Sequence, residues 1–262
     1  MSAPVDLNAF LHQLADVSGA AITPFFRTAI AASDKSRGGV FDPVTEADRA
    51  SEASMRQLIK RQFPAHGIVG EEYGAENADS EFCWVLDPID GTKAFISGLP
   101  VWGTLIGLLQ KGRPVLGMMN QPFTRERFWG DGGQARWRGL SGERALTTRE
   151  CTSLADATLM TTAPQLIPDE FRDRYLSVER DVRLTRYGCD CYAYCVLAAG
   201  HVDAVVEAGL KPHDIVALVP IVEGAGGVIT NWDGGPAAEG GAIVASGDKR
   251  LHEIILKKLV QG

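Results

Sequence analysis

The sequence predicts a layered α/β protein, and three observations carry that prediction. Two amphipathic helical patterns occupy roughly the first sixty residues. A meander of apolar, strand-length runs follows, through Arg138. Beyond Ser153, strands and helices alternate to the end of the chain, the pattern of a layered α/β arrangement. The chain has 262 residues and is 45% hydrophobic, enough for one large domain or two modest ones. The polar stretch Ser141–Ser153 is the best boundary. It separates an N-terminal α+β half, 1–145, from a C-terminal α/β half, 146–262.

The elements follow in order. Asp6 can cap a helix running to about residue 33, with Leu7, Phe10, Leu11, Leu14, Val17 and Ala21 at helical spacing and Pro24 as a kink. A polar, glycine-ended loop, Ser33–Gly39, is a connector or a mobile flap. Thr45 and Asp48 form a capping pair for a second helix, which turns Met55, Leu58 and Ile59 inward and stops at Pro64. Ile68–Gly70 reads as a short strand running into Glu71 and Glu72. Trp102–Gln110 and Val115–Gln121 are strands joined in hairpin fashion by Lys111–Pro114, and two more alternate around Asp131–Gly133. In the second half, strands are expected at 157–162, 182–187, 202–207, 227–230 and 242–245. Helices are expected near 169–176, 192–199, 213–225 and 248–260.

The chemistry concentrates in Trp84-Val85-Leu86-Asp87-Pro88-Ile89-Asp90-Gly91-Thr92. A buried strand ends in two carboxylates, and Gly91 and Thr92 look like the start of a helix. Paired carboxylates can hold a hard cation by oxygen, with the Ile89 carbonyl as a further ligand. The free N–H groups of a helix start favour an anion such as phosphate. An Asp-x-x-Asp turn can equally be a solvated turn. One of the glutamates after Ile68–Gly70 would complete a cation site. A second acidic cluster spans Glu207–Asp214. There Asp214 is a cation ligand or a helix cap, and His213 is read as a helix-start residue.

Composition narrows the class. The formal net charge is −7 and the pI near 5.3, which argues against a general nucleic-acid binder. The five cysteines show no zinc spacing and read as reduced thiols. No run reaches membrane-spanning length and no signal peptide is evident, so a cytoplasmic, soluble protein is expected.

Asp42-Pro43-Val44-Thr45-Glu46-Ala47-Asp48, Gly70-Glu71-Glu72, Asp87-Pro88-Ile89-Asp90-Gly91-Thr92 and the Asp214 cluster, in that order, resemble the inositol monophosphatase family. The resemblance spans most of the chain. It implies an αβαβα sandwich of the inositol monophosphatase / fructose-bisphosphatase type, usually a homodimer. The activity it implies is a Mg²⁺-dependent phosphomonoesterase, with two or three ions, acting on a small phosphorylated substrate. Carried over by resemblance, Glu71, Asp87, Asp90, Asp214 and the Ile89 carbonyl would ligate metal. Glu71 and Thr92 would activate the attacking water, with Asp48 in support. The Gly91 and Thr92 amides would hold phosphate, and Asp190 and Glu207 would contact substrate.

Three further stretches resemble the histidinol-phosphatase branch: Asp90–Ile106, Gly188–Tyr194 and Leu210–Asp214. Histidinol phosphate carries an ammonium and an imidazole, for which Asp190 and Glu207 offer two carboxylates. Asp190 can alternatively cap the helix that follows it. The alternatives are an inositol or broad sugar-phosphate phosphatase, a nucleotide 3′-phosphatase or fructose-bisphosphatase, and a non-catalytic, metal-binding regulatory partner.

Overall fold

The computed structural model describes residues 6–29, 32–34 and 43–261. Residues 35–39 of the expected loop, and Asp42 of the stretch Asp42–Asp48, lie outside the described residues. Helix α1 spans Leu7–Ile22 and is capped by Asp6, whose carboxylate accepts the Asn8 N–H at 2.9 Å. It ends about ten residues short of the expected end. Pro24 has no N–H to continue the helix, and a 3₁₀ turn over Thr23–Phe25 closes it instead of a kink. A two-residue ladder follows, β1 (Ser33–Asp34) with β2 (Pro43–Val44). Helix α2 (Glu46–Gln62) starts with the expected capping box. Asp48 Oδ2 accepts both the Thr45 N–H (2.8 Å) and the Thr45 hydroxyl (2.6 Å).

The first sheet is built from β3 (Gly67–Gly70), β4 (Gly74–Glu76) and β5 (Phe82–Asp90), then β6 (Gly103–Gln110), β7 (Arg113–Gln121), β8 (Glu126–Gly130), β9 (Ala135–Gly139) and β10 (Gly142–Ala145). Its spatial order is β10-β9-β8-β7-β6-β5-β3-β4, with β3 and β5 parallel and β5 through β10 an antiparallel meander. Strand β10 occupies the start of the polar stretch read as a boundary. Lys111 and Gly112 both have positive φ, the geometry of a tight two-residue hairpin turn, while Arg113 and Pro114 already belong to β7. Between β5 and β6 lies α3 (Thr92–Ile96), a single turn.

The second sheet contains β11 (Thr158–Thr161), β12 (Leu184–Tyr187), β13 (Ala204–Leu210), β14 (Val228–Asn231) and β15 (Gly241–Ser246), in the order β12-β11-β13-β15-β14. Its helices are α4 (Asp169–Glu179), α5 (Asp190–Ala198), α6 (Pro212–Ile215), α7 (Leu218–Gly224) and α8 (Lys249–Gln261). The single helix expected over 213–225 is thus two, α6 and α7. Among the described residues, no helix is long and apolar enough to cross a membrane.

The core residues define five layers. Phe10, Leu11 and Leu14 of α1 and Met55 and Ile59 of α2 pack on Trp84, Leu86, Ile106, Leu108 and Met118 of the first sheet. Its opposite face, with Leu105, Met119 and Phe128, packs on α5 and α7, whose far sides meet Val205, Ile243 and Ala245 of the second sheet. Helices α4 and α8 cover that sheet's outer face through Tyr175, Val178, Leu251, Ile255 and Leu259. The result is helix, sheet, helix, sheet, helix: an αβαβα sandwich. Strands β6 and β7 are apolar along their length because both faces are covered; Leu105 and Ile106 point to different layers.

Close approach of the middle layer depends on three glycines in one row. Gly107, Gly117 and Gly130 are register partners on β6, β7 and β8. A Cβ on Gly117 would stand 1.9 Å from the Ala217 carbonyl oxygen, and one on Gly130 2.4 Å from that of Pro220. The backbone of residues 217–220 therefore lies directly on the sheet. This fixes the height of α6, which carries Asp214, above the end of β5.

Candidate functional site

A cleft of about 440 Å³ opens where β5 ends, between the two sheets. Its floor is the acidic pair at the end of β5. The ladder with β6 is regular to Asp87–Leu105 and resumes at Asp90–Gly103, so a bulge separates the two aspartates. The Ile89 side chain goes into the core with Phe95 and Trp102. The Asp87 Oδ1 accepts the Ile89 N–H (3.0 Å), and the Ile89 carbonyl accepts the Thr92 hydroxyl (3.0 Å). A carbonyl oxygen has a second lone pair, so this bond does not exhaust it.

Glu71 arrives from the end of β3. Its loop is held by α2: the buried Glu52 carboxylate accepts the N–H groups of Glu72 (2.7 Å) and Tyr73 (3.2 Å) and pairs with Arg56 (2.7 Å). Asp214 arrives from the other side, on α6. It is not the cap residue; Lys211 is, and Asp214 Oδ2 accepts the Lys211 N–H at 2.7 Å. Ligand atoms of Asp87, Asp90 and Asp214 lie within 4.8 Å of one another, as do those of Glu71, Asp87 and His213.

Such crowding of carboxylates raises their pKa values. Burial, then the charges of Glu71, Asp90 and Asp214, hold Asp87 well above the usual carboxylate range. Asp90 is raised by burial and by Asp190 and Asp214, against the Cys191 N–H that it accepts at 2.6 Å. Asp214 is raised by burial and lowered in part by His213. Among the described residues, no lysine or arginine forms an ion pair with Asp87 or Asp90.

Beside this cluster Asp48 is 1% exposed, pushed up to about 6 by burial and by the charges of Glu72 and Glu71, against its bonds from Thr45. Its second oxygen, Oδ1, is buried without a hydrogen-bond partner. Converging carboxylate oxygens, their mutual repulsion and an orphaned buried oxygen fit a hard divalent cation with ordered water.

The far wall holds the other two predicted residues. Glu207, 5% exposed, is engaged: Oε1 accepts the Thr162 N–H (2.8 Å) and hydroxyl (2.6 Å), and Oε2 accepts the Tyr194 hydroxyl (2.8 Å). Burial raises its pKa, and those three bonds oppose the rise. Asp190 begins α5 but is no cap; Cys189 holds that position and makes no side-chain cap bond. Asp190 instead takes φ +43°, and its side chain presses on Gly91, itself at φ +82°. A Cβ on Gly91 would stand 3.1 Å from Asp190 Cγ, so only glycine lets the two chain segments meet. Burial and the charge of Glu207 push Asp190 up to about 7, with Lys93 acting the other way. Among the described residues, no group hydrogen-bonds its carboxyl.

All ten residues singled out from the sequence, Asp48 included, thus gather at or beside this cleft. His213 is, as read, a helix-start residue, the second of α6, and its Nε2 also lies 3.5 Å from Asp214 Oδ1 and close to Glu71 and Asp87. The Cys191 N–H, a backbone group, left no signal in the sequence.

Comparison with known proteins places this geometry among relatives. The sequence model of the inositol monophosphatase family matches residues 4–262. A bifunctional phosphatase IMPL2, chloroplastic, of Arabidopsis thaliana is 45% identical over 95% of this chain and 73% of its own length. A histidinol-phosphatase of Mycobacterium tuberculosis is 36% identical over 84% of this chain and 85% of its own. The structure of an inositol monophosphatase from Zymomonas mobilis superposes with a TM-score of 0.87 at 41% identity, covering 99% of this chain and all of that one.

Proposed function

The chain belongs to the inositol monophosphatase family and is a phosphomonoester hydrolase, and on that premise we propose that its substrate is L-histidinol phosphate and its cofactor Mg²⁺. The observation that carries the substrate is Asp190, a carboxyl lining the cleft that, among the described residues, forms no hydrogen bond or ion pair. A cationic leaving group would give it a charge-assisted partner, whereas a neutral cyclitol would give it only a hydroxyl. Glu207 has three bonds already, so Asp190 is the acceptor for the ammonium, and Glu207 offers the imidazole what capacity remains. The histidinol-phosphatase relative supports the reading.

In this reading Glu71, Asp87, Asp90, Asp214 and the Ile89 carbonyl hold the cations. Magnesium bound there supplies positive charge to the phosphate oxygens and lowers the pKa of a water. The residues of the chain do the rest. Glu71 takes the proton of the attacking water, and the Thr92 hydroxyl, anchored on the Ile89 carbonyl, orients it. The water oxygen bonds to phosphorus, the bond to the ester oxygen breaks, and histidinol leaves with a proton from solvent. Asp48 fixes the Glu71 side of the site through water on its open Oδ1. The Gly91 and Thr92 amides steady the phosphate. The protein works as a cytoplasmic homodimer.

The test is Mg²⁺-dependent phosphate release from histidinol phosphate, inositol 1-phosphate, fructose 1,6-bisphosphate and adenosine 3′,5′-bisphosphate. A kcat/KM for histidinol phosphate about a hundredfold above the others, lost in Asp190→Ala, is expected. Equal rates on inositol 1-phosphate would favour the second reading, a broad inositol or sugar-phosphate phosphatase. The bifunctional plant relative and the structure of the Zymomonas mobilis inositol monophosphatase support that reading.

A further inference from the structure

Asp190 sits at a helix start that does not hold itself. Its φ is left-handed for a residue with a side chain, and no side chain caps α5. Such a conformation persists only where the surroundings over-determine it. Two side-chain bonds from α5, one to each sheet, supply that constraint. The Tyr194 hydroxyl reaches Glu207 on β13 of the second sheet. The Tyr192 hydroxyl reaches Glu126 Oε2 on β8 of the first sheet, while Trp137 Nε1 of β9 donates to Glu126 Oε1 at 3.0 Å. The Tyr192 ring also stands edge-on to Phe128, with centroids 5.7 Å apart. Helix α5 is therefore pinned to the first sheet by its first turn, through Tyr192, and to the second sheet by its second turn, through Tyr194, and the pin to the first sheet ends in a half-buried carboxylate that does not line the cleft.

We infer that Glu126 is a positioning residue for Asp190: through Tyr192 it holds the first turn of α5 so that the Asp190 carboxyl meets a cationic leaving group. The inference rests on the proposed reading of Asp190. A charged acceptor suits the role. A carboxylate accepts from Trp137 and Tyr192 with separate oxygens, and bonds to an ionised acceptor are shorter and stronger than neutral ones. The Cys191 N–H bond to Asp90 lies on the same turn but is a backbone bond on the cation side and involves no atom of the Tyr192 side chain. Loosening the Glu126 pin therefore affects leaving-group recognition and spares the phosphate end.

Tyr192→Phe removes the hydroxyl and keeps the ring against Phe128. It is assayed with Mg²⁺ on histidinol phosphate and on glycerol 1-phosphate, whose leaving alcohol is neutral. A rise in KM for histidinol phosphate of about tenfold is expected, with kcat and the glycerol phosphate kcat/KM within about twofold of wild type. Glu126→Gln, with one carbonyl oxygen left to accept, should fall between. In an Asp190→Ala background, Tyr192→Phe should add nothing. Equal losses on both substrates, a loss that persists without Asp190, or unchanged selectivity in both variants would each overturn the inference. A wild-type enzyme without preference for histidinol phosphate would overturn the reading of Asp190 as well, and shows itself before any variant is assayed.

Discussion

Asp90 sets the proposed cation site against stability. It is crowded by Asp190 and Asp214, and without a cation the repulsion costs the folded state. Asn at this position can still accept the Cys191 N–H through its carbonyl oxygen. Asp90→Asn should therefore fold, and in chelator it should be more stable than wild type by roughly 1 kcal/mol. Its Mg²⁺-dependent rise in Tm should vanish, and kcat should fall about a thousandfold. Thermal melts with and without Mg²⁺, beside phosphate release, check all three; a retained rate would remove Asp90 from the cation site. The central acidic pair was legible in the sequence because the signal is local, an apolar strand ending in two carboxylates within four residues. Asp190 was legible only as a candidate. The alternative that it caps a helix failed because Cys189 holds the cap position and Asp190, with a left-handed backbone, already belongs to the helix and meets Gly91 about a hundred residues away.

At the scale of elements, the link between α2 and the Glu71 loop rests on the absence of a side chain at Gly70. A Cβ there would stand 2.0 Å from Glu52 Oε1, and Glu52 is tied to Arg56, Glu72 and Tyr73. Gly70→Ala should destabilise by about 2–4 kcal/mol, measured by urea unfolding. It should also lower kcat by about tenfold or more, because the loop carrying Glu71 loses its anchor. Elements with local start signals were legible: Asp6 and the Thr45–Asp48 box fix two helix starts. Ends were less so. The first helix stops at Pro24 because the missing N–H was decisive there. The split between α6 and α7 reflects how residues 215–217 meet the sheet, which periodicity does not record. The Tyr192–Glu126 tie joins groups 66 residues apart and has no footprint in local pattern.

For the whole molecule, acid stability is a contest between two kinds of buried group. His252 of α8 lies between Thr230 and Ser246, and burial lowers its pKa from 6.5 to about 4. Below pH 6.5 the unfolded chain takes a proton that the folded state refuses, so stability falls from there down to about pH 4. The crowded carboxylates act oppositely: their raised pKa values mean that the cation-free fold gains stability as pH falls through about 7 for Asp190 and 6 for Asp48. Comparing wild type with His252→Gln cancels the carboxylates. The stability advantage of wild type should shrink by about 2 kcal/mol between pH 7 and pH 5, read by urea unfolding at each pH. The five-layer order was legible only through resemblance, since helix and strand patterns do not say which faces meet. The glycine row across β6, β7 and β8 was not legible at all, because three residues become neighbours only once the strands pair. That row also divides what this architecture can vary from what it cannot. Along it two backbones touch with nothing adjustable between them, so any thickening is passed on to Asp214 undiminished. The opposite rim of the cleft, around Ala163, Leu166 and Lys211, consists of side chains at the surface that can be exchanged one at a time. A lineage built on this frame is free to change which alcohol it releases while the seat for the cations stays where it is.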